Sequence, residues 1–214
     1  MSKAIQVLIV DDHPLVREGL LAVLGGEDDL AVAGQAANGE EAVQMASQLA
    51  PDVILMDLFM KPIDGTQATR AILQANPAAR VLILTSSTDI ERVLPAVQAG
   101  ALGYITKEAP PGELLAAIRG LYQGGVHLPA ALTRRLLLKT DHSAPPAQVE
   151  VLTERESEIL KLVALGLGNE EIAARLVISP RTAGAHISHI LEKLGLENRT
   201  QAALYALRKG VVKL

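Results

Sequence analysis

The chain reads as an α/β protein, a doubly wound five-stranded parallel sheet followed by a small all-α domain. Three observations predict this. Five short apolar runs alternate with five longer helical patterns across the first 123 residues. Several of those runs are apolar throughout, as strands covered by helices on both faces should be. Beyond a polar, proline-rich break, "TDHSAPPAQ" at 140–148, every pattern is helical.

In chain order, the predicted strands are Ile5–Val10, Leu30–Gln35, Val53–Met56, Val81–Leu84 and Leu102–Thr106. The helices between and after them are Pro14–Leu24, Gly39–Leu49, Thr66–Ala75, Ile90–Ala99 and Gly112–Gln123. Asn38 with Glu41 three residues on, and Asp89 with Arg92, mark two helix starts. Five such repeats imply a doubly wound sheet, in which ligands bind beyond the carboxyl ends of the strands. In the second part, Thr153 followed by Glu156 makes a capping box that opens a helix through about Leu165. Gly166 and Gly168 break it. A second helix is predicted over Asn169–Leu176. A third starts after Ser179, with Pro180 at its first position, and runs to Leu194, where Gly195 stops it. "NRTQAALYALRKG" gives a fourth.

Composition narrows the function classes. Nearly half of the 214 residues are apolar, but only Phe59, Tyr104, Tyr122 and Tyr205 are aromatic. So few rings argue against stacking platforms for single-stranded nucleic acid. The lack of cysteine excludes disulfides, thiol catalysis and cysteine zinc sites. "MSKAIQVLIV" is too short in its apolar part to read as a signal peptide. No stretch approaches the roughly 20 apolar residues that span a bilayer. The expected location is therefore the cytoplasm, with no membrane partner. Charge is uneven: residues 1–147 carry 11 basic against 16 acidic side chains, residues 148–214 carry 9 against 8. That is the sign expected of an acidic module joined to one that approaches a polyanion.

The polar residues gather at the strand ends. Strand one ends in Asp11-Asp12, strand three in Asp57, strand four in Thr85-Ser86 and strand five near Lys107. In a doubly wound sheet these ends are neighbours, so three carboxylates, a hydroxyl and an ammonium converge. Such an acidic cluster suits Mg²⁺, which takes one or two carboxylates and keeps water or phosphate oxygens. Asp57 could attack phosphorus and form an aspartyl phosphate. Asp12 and Asp57 would hold the metal, with Asp11 acting through water. Lys107 would neutralise a phosphoryl oxygen and Thr85 would hydrogen-bond another.

"VLIVDDHPLVREGL", "DVILMDLFMKPIDG", "VLILTSS" and "ALGYITK" resemble the receiver domain of two-component response regulators over about residues 5–123. The resemblance implies a flavodoxin-like fold, with Asp57 as phosphoacceptor and Asp11 and Asp12 as the acidic pair. It also implies the backbone carbonyl of Phe59 as a further metal ligand and Lys107 as the phosphoryl-binding lysine, with Thr85 and Tyr104 as a switch pair. For Tyr104 the alternative is a simple packed aromatic. One departure stands out: the family usually has proline four residues after the acceptor, and here that residue is Lys61. It either reaches the pocket or points to solvent.

In the third helix of the second part, Ala183, Ile187, Ile190 and Leu194 form an inward stripe, while Arg181, Ala185, Ser188 and Glu192 point away. A short helix, a tight turn and a helix with a small polar outer face can enter a major groove. A generic helical bundle for protein contacts is the alternative. "LTERESEILKLVALGLGNEEIAARLVISPRTAGAHISHILEKLGLENRTQAA" resembles the LuxR-type helix-turn-helix DNA-binding domain. The candidate DNA contacts are Arg181, Thr182, Ala185, Ser188, His189, Lys193 and Arg199. "VHLPAALTRRLLLK", 126–139, resembles the interdomain linker helix of the NarL/FixJ-type regulators, which the whole chain resembles in architecture. The expected domains are thus residues 1–124 (receiver), 125–148 (linker) and 149–214 (DNA-binding). The implied partners are a sensor histidine kinase, double-stranded DNA and a second copy of the chain, as a homodimer formed on phosphorylation or DNA binding. Departures lie in Thr182-Ala183-Gly184, where the family often has "TVK", and in Glu170, where a basic residue is common. These support a third reading, a helical module that has lost its DNA contacts. A metal-dependent phosphatase is the enzymatic alternative, but phosphatases of the haloacid dehalogenase type want an aspartate where Phe59 stands. The expectation is a regulator, not an enzyme.

Overall fold

A computed structural model describes residues 4–87, 89–129, 132, 152–196, 198–209 and 211. The chain forms two compact units, Met1–Tyr122 and Gln123–Leu214. Most of the expected linker helix over 126–139 and of the 140–148 break lies outside the described residues.

The first unit is a parallel sheet of β1 (Ile5–Val10), β2 (Leu30–Ala36), β3 (Val53–Asp57), β4 (Val81–Thr85) and β5 (Gly103–Thr106), in the order β2-β1-β3-β4-β5. Between the strands run α1 (Pro14–Leu24), α2 (Gly39–Leu49), α3 (Gly65–Ala75) and α4 (Ile90–Gln98), and α5 (Pro111–Tyr122) follows β5. The apolar runs became buried strands: β3 and β4 are buried along their whole length. Register sets the site. Val10 pairs with Met56, Asp57 with Leu84, and Thr85 with Thr106, so the carboxyl ends of four strands finish level.

Local chemistry starts the helices. The Asn38 side chain accepts the Glu41 N–H at 2.9 Å. Asp64 and Gln67 form a capping box at α3 that the pattern reading missed, starting that helix one residue early, at Gly65. Asp89 caps α4 through the Glu91 N–H at 3.0 Å.

The second unit contains α6 (Glu154–Ala164), α7 (Asn169–Leu176), α8 (Pro180–Leu194) and α9 (Arg199–Arg208). Ile159, Leu160, Val163, Ile172, Ala183, Ile187, Ile190 and Ala202 form its core. The Thr153–Glu156 capping box opens α6, and Ser179 caps α8 by accepting the Thr182 N–H at 3.0 Å. Gly195, at φ +62°, ends α8 in the left-handed conformation that glycine adopts at low cost.

Candidate phosphoacceptor pocket and helix-turn-helix face

Because β1, β3, β4 and β5 end level, their last residues share one rim. Asp11 is fully buried, Asp57 is 2% exposed and Thr85 is fully buried. Lys107 Nζ lies 2.6 Å from Asp11 Oδ2 and 3.2 Å from Asp57 Oδ1. Its backbone N–H is fixed on the Thr85 carbonyl at 2.9 Å, which ties the β5 end to the β4 end. Asp11 Oδ2 is thus a buried carboxylate oxygen whose charge partner is the Lys107 ammonium. Asp11, Asp12, His13 and Asp57 each present a ligand atom within 4.8 Å of the others. Two buried carboxylates with the Asp12 carboxylate beside them fit a hard divalent cation.

Burial and neighbouring charges act on Asp57 in opposite directions. Burial pushes the Asp57 carboxyl above the usual carboxylate range; the Lys107 ammonium pulls it back, and the Asp11 charge pushes the same way as burial. Burial works against the Lys107 charge, yet the Asp11 and Asp57 carboxylates together leave its pKa above that of an ordinary lysine.

The remaining residues fall around this centre. Tyr104 is 7% exposed, and its hydroxyl donates to the Ser87 carbonyl at 3.3 Å. Thr85 Oγ1 accepts the Ser87 N–H at 3.2 Å, so Ser87 touches both members of the expected switch pair. Burial, and the charge of Glu108, push the Tyr104 phenol up. The Phe59 ring is 39% exposed and carries the Arg92 guanidinium 4.2 Å from its centroid, a contact that no local pattern signals. Lys61 is exposed, with no ion pair among the described residues. Gly65 packs so tightly on the Asp57 carbonyl that a β-carbon there would overlap it.

In the second unit, Arg181, Thr182, Ala185, Ser188 and His189 lie exposed along α8, opposite its buried Ala183, Ile187 and Ile190. The other two candidate contacts are engaged within the unit. Lys193 Nζ donates to Glu156 Oε2 at 2.9 Å. Arg199 turns inward, donating to Asn169 Oδ1 at 2.9 Å and to the Leu167 carbonyl, and burial lowers its guanidinium to about 10. Periodicity could not reveal this, because the partners lie on other elements of the unit. Arg175, on α7, is an exposed cation that the sequence reading passed over, and the Glu170 and Glu171 side chains beside it are exposed too.

Comparison with known proteins matches each unit to a family. Residues 7–119 match the response regulator receiver domain, and residues 150–206 match the bacterial regulatory proteins of the luxR family. The chain is 43% identical over 209 residues to the transcriptional regulatory protein LiaR of Bacillus subtilis, covering 97% of this chain and 99% of that one. It is 38% identical over 214 residues to the oxygen regulatory protein NreC of Staphylococcus carnosus, covering 97% and 99%. Among solved structures, the response regulator ChrA of a heme-sensing two-component system superposes with a TM-score of 0.54 at 34% identity, covering 99% of this chain and all of that one.

Proposed function

The chain belongs to the response regulators of two-component systems, a receiver joined to a LuxR-type DNA-binding domain that regulates transcription rather than an enzyme, and on that premise we propose that Asp57 is its phosphoacceptor. The observation that carries this is the Lys107 ammonium, 3.2 Å from Asp57 and 2.6 Å from Asp11 at the level ends of adjacent strands. Asp57 Oδ attacks phosphorus as the bond from phosphorus to the donor breaks, and the donor leaves with the electron pair. Lys107 holds a phosphoryl oxygen, stabilising charge that builds up in transfer. Burial keeps bulk water from the acceptor, and Lys107 keeps enough of it ionised to attack. Asp11, Asp12, Asp57 and the Phe59 carbonyl would hold Mg²⁺, which supplies charge neutralisation for the carboxylate and the phosphoryl group.

The signal leaves through Ser87. When the Thr85 hydroxyl turns to a phosphoryl oxygen it gives up the Ser87 N–H, and the segment whose carbonyl holds the Tyr104 hydroxyl loses one anchor. Phosphorylation thereby shifts the population between two arrangements of this segment and ring. A sensor histidine kinase is the donor, the cytoplasm the location, and a homodimer on paired half-sites the DNA-bound form. On DNA, Arg181, Thr182, Ala185, Ser188 and His189 face the major groove. Lys193 and Arg199 instead hold the scaffold together.

The test compares wild type with Asp57→Ala, with and without acetyl phosphate and Mg²⁺, reading native mass and binding to fragmented genomic DNA. Wild type should gain about 80 Da per chain, dimer and DNA affinity, and Asp57→Ala none of them. A wild type that gains neither mass nor affinity overturns the switch.

A further inference from the structure

The first turn of α6 holds α8 at two places, its last turn and the joint that leads into it. Glu156 takes Lys193 Nζ, in the last turn of α8, at 2.9 Å. The residue before it, Arg155, reaches the joint. Its Nη2 donates to the Leu176 carbonyl at 2.6 Å, and its Nη1 to Glu158 Oε2 at 2.7 Å. That carbonyl closes α7, where a helix leaves its last oxygens without intrahelical donors and where a cation is favoured. Only Val177 and Ile178 stand between it and Ser179, the cap of α8. Val177 is left-handed at φ +53°, and Ile178 donates to the Ala173 carbonyl at 3.0 Å. A β-branched residue keeps such a backbone only where its surroundings fix it. Leu176 and Ile178, on either side, pack on the unit's core, while the Val177 side chain is left 91% exposed. The Arg155 guanidinium supplies the polar tie from the carbonyl side.

We propose that Arg155 is a positioning residue for DNA recognition: it fixes the α7–α8 joint and so aims the outer face of α8, without touching DNA itself. A small backbone rotation at Val177 swings all 15 residues of α8 about their start, so an error at the joint grows along the helix. Base readout needs donors and acceptors matched to base edges, whereas phosphate contacts carry no sequence information. Misaiming α8 therefore removes discrimination first and non-specific attraction least. A planar fork suits this task, since Glu158 holds one arm while the other holds the carbonyl. Lysine offers the charge without the second fixed arm.

This role rests on reading α8 as the helix that enters the major groove, and the experiment keeps the two apart. Full-length wild type, treated with acetyl phosphate and Mg²⁺, selects duplexes from a random-sequence pool. Wild type, Arg155→Met and Arg155→Lys are then titrated at graded salt with the enriched duplex and with a scrambled duplex of equal length and composition. Arg155→Met keeps the apolar stem. It should bind the enriched duplex roughly tenfold more weakly, about the effect of one mismatched base pair. Its affinity for the scrambled duplex should change less than about twofold, with an unchanged slope against salt. Arg155→Lys should recover part of the lost preference. A slope lowered by about 0.9 overturns the positioning role, because Arg155 then meets a phosphate. Equal losses on both duplexes overturn it as well, since lost stability alone produces them. If wild type enriches no sequence, the α8 reading falls and this role with it, whereas enrichment with full preference in Arg155→Met removes this role alone. Nitrogen-15 spectra of wild type guard against a variant that fails to fold. The Arg155 guanidinium should rotate slowly about its Cζ–Nη bonds, free and DNA-bound alike, and fast rotation overturns the clamp.

Discussion

Lys107 Nζ lies 3.2 Å from Asp57 Oδ1, so the cation that favours the charged form of Asp57 arrives from a strand two places away in the sheet. Its loss should be read in two ways. Lys107→Met removes the largest influence that lowers the Asp57 carboxyl, so the acid rises further above its ordinary range. Transfer from a small phosphodonor at neutral pH should slow by on the order of a hundredfold. A carboxyl raised in the folded state stabilises the fold below its unfolded pKa near 4, and that contribution is lost as pH rises through the raised value. The variant should therefore lose more Tm than wild type between pH 5 and 8. A divalent cation should restore more of it, because Asp11 and Asp57 are then buried without their ammonium. Equal pH profiles in the two proteins would remove Lys107 from the site.

Gly65 meets the Asp57 carbonyl where a side chain would need to stand, and its N–H donates to the Leu58 carbonyl at 3.0 Å. Here backbone, not a flexible side chain, is in the way, so the neighbour cannot give. Gly65→Ala should cost about 1–3 kcal/mol of stability by overpacking. Phosphorylation should fall with it, because the displaced atoms belong to the acceptor itself. Denaturant unfolding and phosphodonor kinetics check both. A variant with unchanged transfer would show that Asp57 does not depend on this contact.

The fold and the acid pocket were legible for the same reason. β1 from Val7 on, and β3 and β4 up to their last residue, had to be apolar to lie under helices, so each polar residue at a strand end stood out. The topology then brought Asp11, Asp57, Thr85 and Lys107 to one edge. The α8 face read less well. Inward and outward positions followed from period 3.6, but a long cation on either edge of the stripe can turn to whichever partner another helix supplies. Glu156, on α6, takes Lys193, and Asn169 and the Leu167 carbonyl, at and before the start of α7, take Arg199. The stacking of Arg92 on Phe59 was hidden in the same way, since it joins a loop to a helix that no local pattern connects.

The Glu156–Lys193 pair yields a pH prediction. Lys193 and the Thr153 backbone and hydroxyl hold the Glu156 carboxyl down at about 2, although its 6% exposure works against the charge. A depressed folded-state pKa gives stability that is present above the unfolded value near 4.5 and lost as pH falls towards about 2. Acid unfolding of the wild-type second unit should thus steepen through that window. Glu156→Gln should be less stable at pH 7 and flatter between pH 4.5 and 2.5. Parallel curves would mean that Lys193 is free for other contacts, DNA included.

Val177 closes α7 at φ +53° and ψ +49° with its side chain 91% exposed. A β-branched residue in this left-handed conformation costs roughly 1–2 kcal/mol, and exposure on this scale recovers almost none of it through burial. Asparagine tolerates the same conformation. Val177→Asn should raise the stability of the second unit by about 1 kcal/mol, several degrees in Tm for a domain of this size. A calorimetric scan that leaves the transition in place would show that the apolar side chain contributes what its backbone loses.

Gly184 stands on α8 where the LuxR-type pattern often has lysine, and its surroundings leave room for a side chain. A β-carbon there would meet no atom closer than Asn169 Nδ2 at 3.5 Å, an ordinary contact. Lysine therefore fits, and replacing glycine inside α8 gains roughly 0.5–1 kcal/mol of helix stability. The exposed face otherwise offers Arg181 and His189 as its basic groups, with Lys193 spent on Glu156. One added phosphate contact should steepen the slope of log affinity against log salt by about 0.9. Gly184→Lys should bind non-specific duplex more tightly at low salt and converge on wild type as salt rises, while operator preference changes little, because phosphate contacts position and base contacts specify. Gel shifts at graded salt decide this. A tighter variant with an unchanged slope would place residue 184 on the bases instead of the backbone, and one with no gain would put α8 outside the groove.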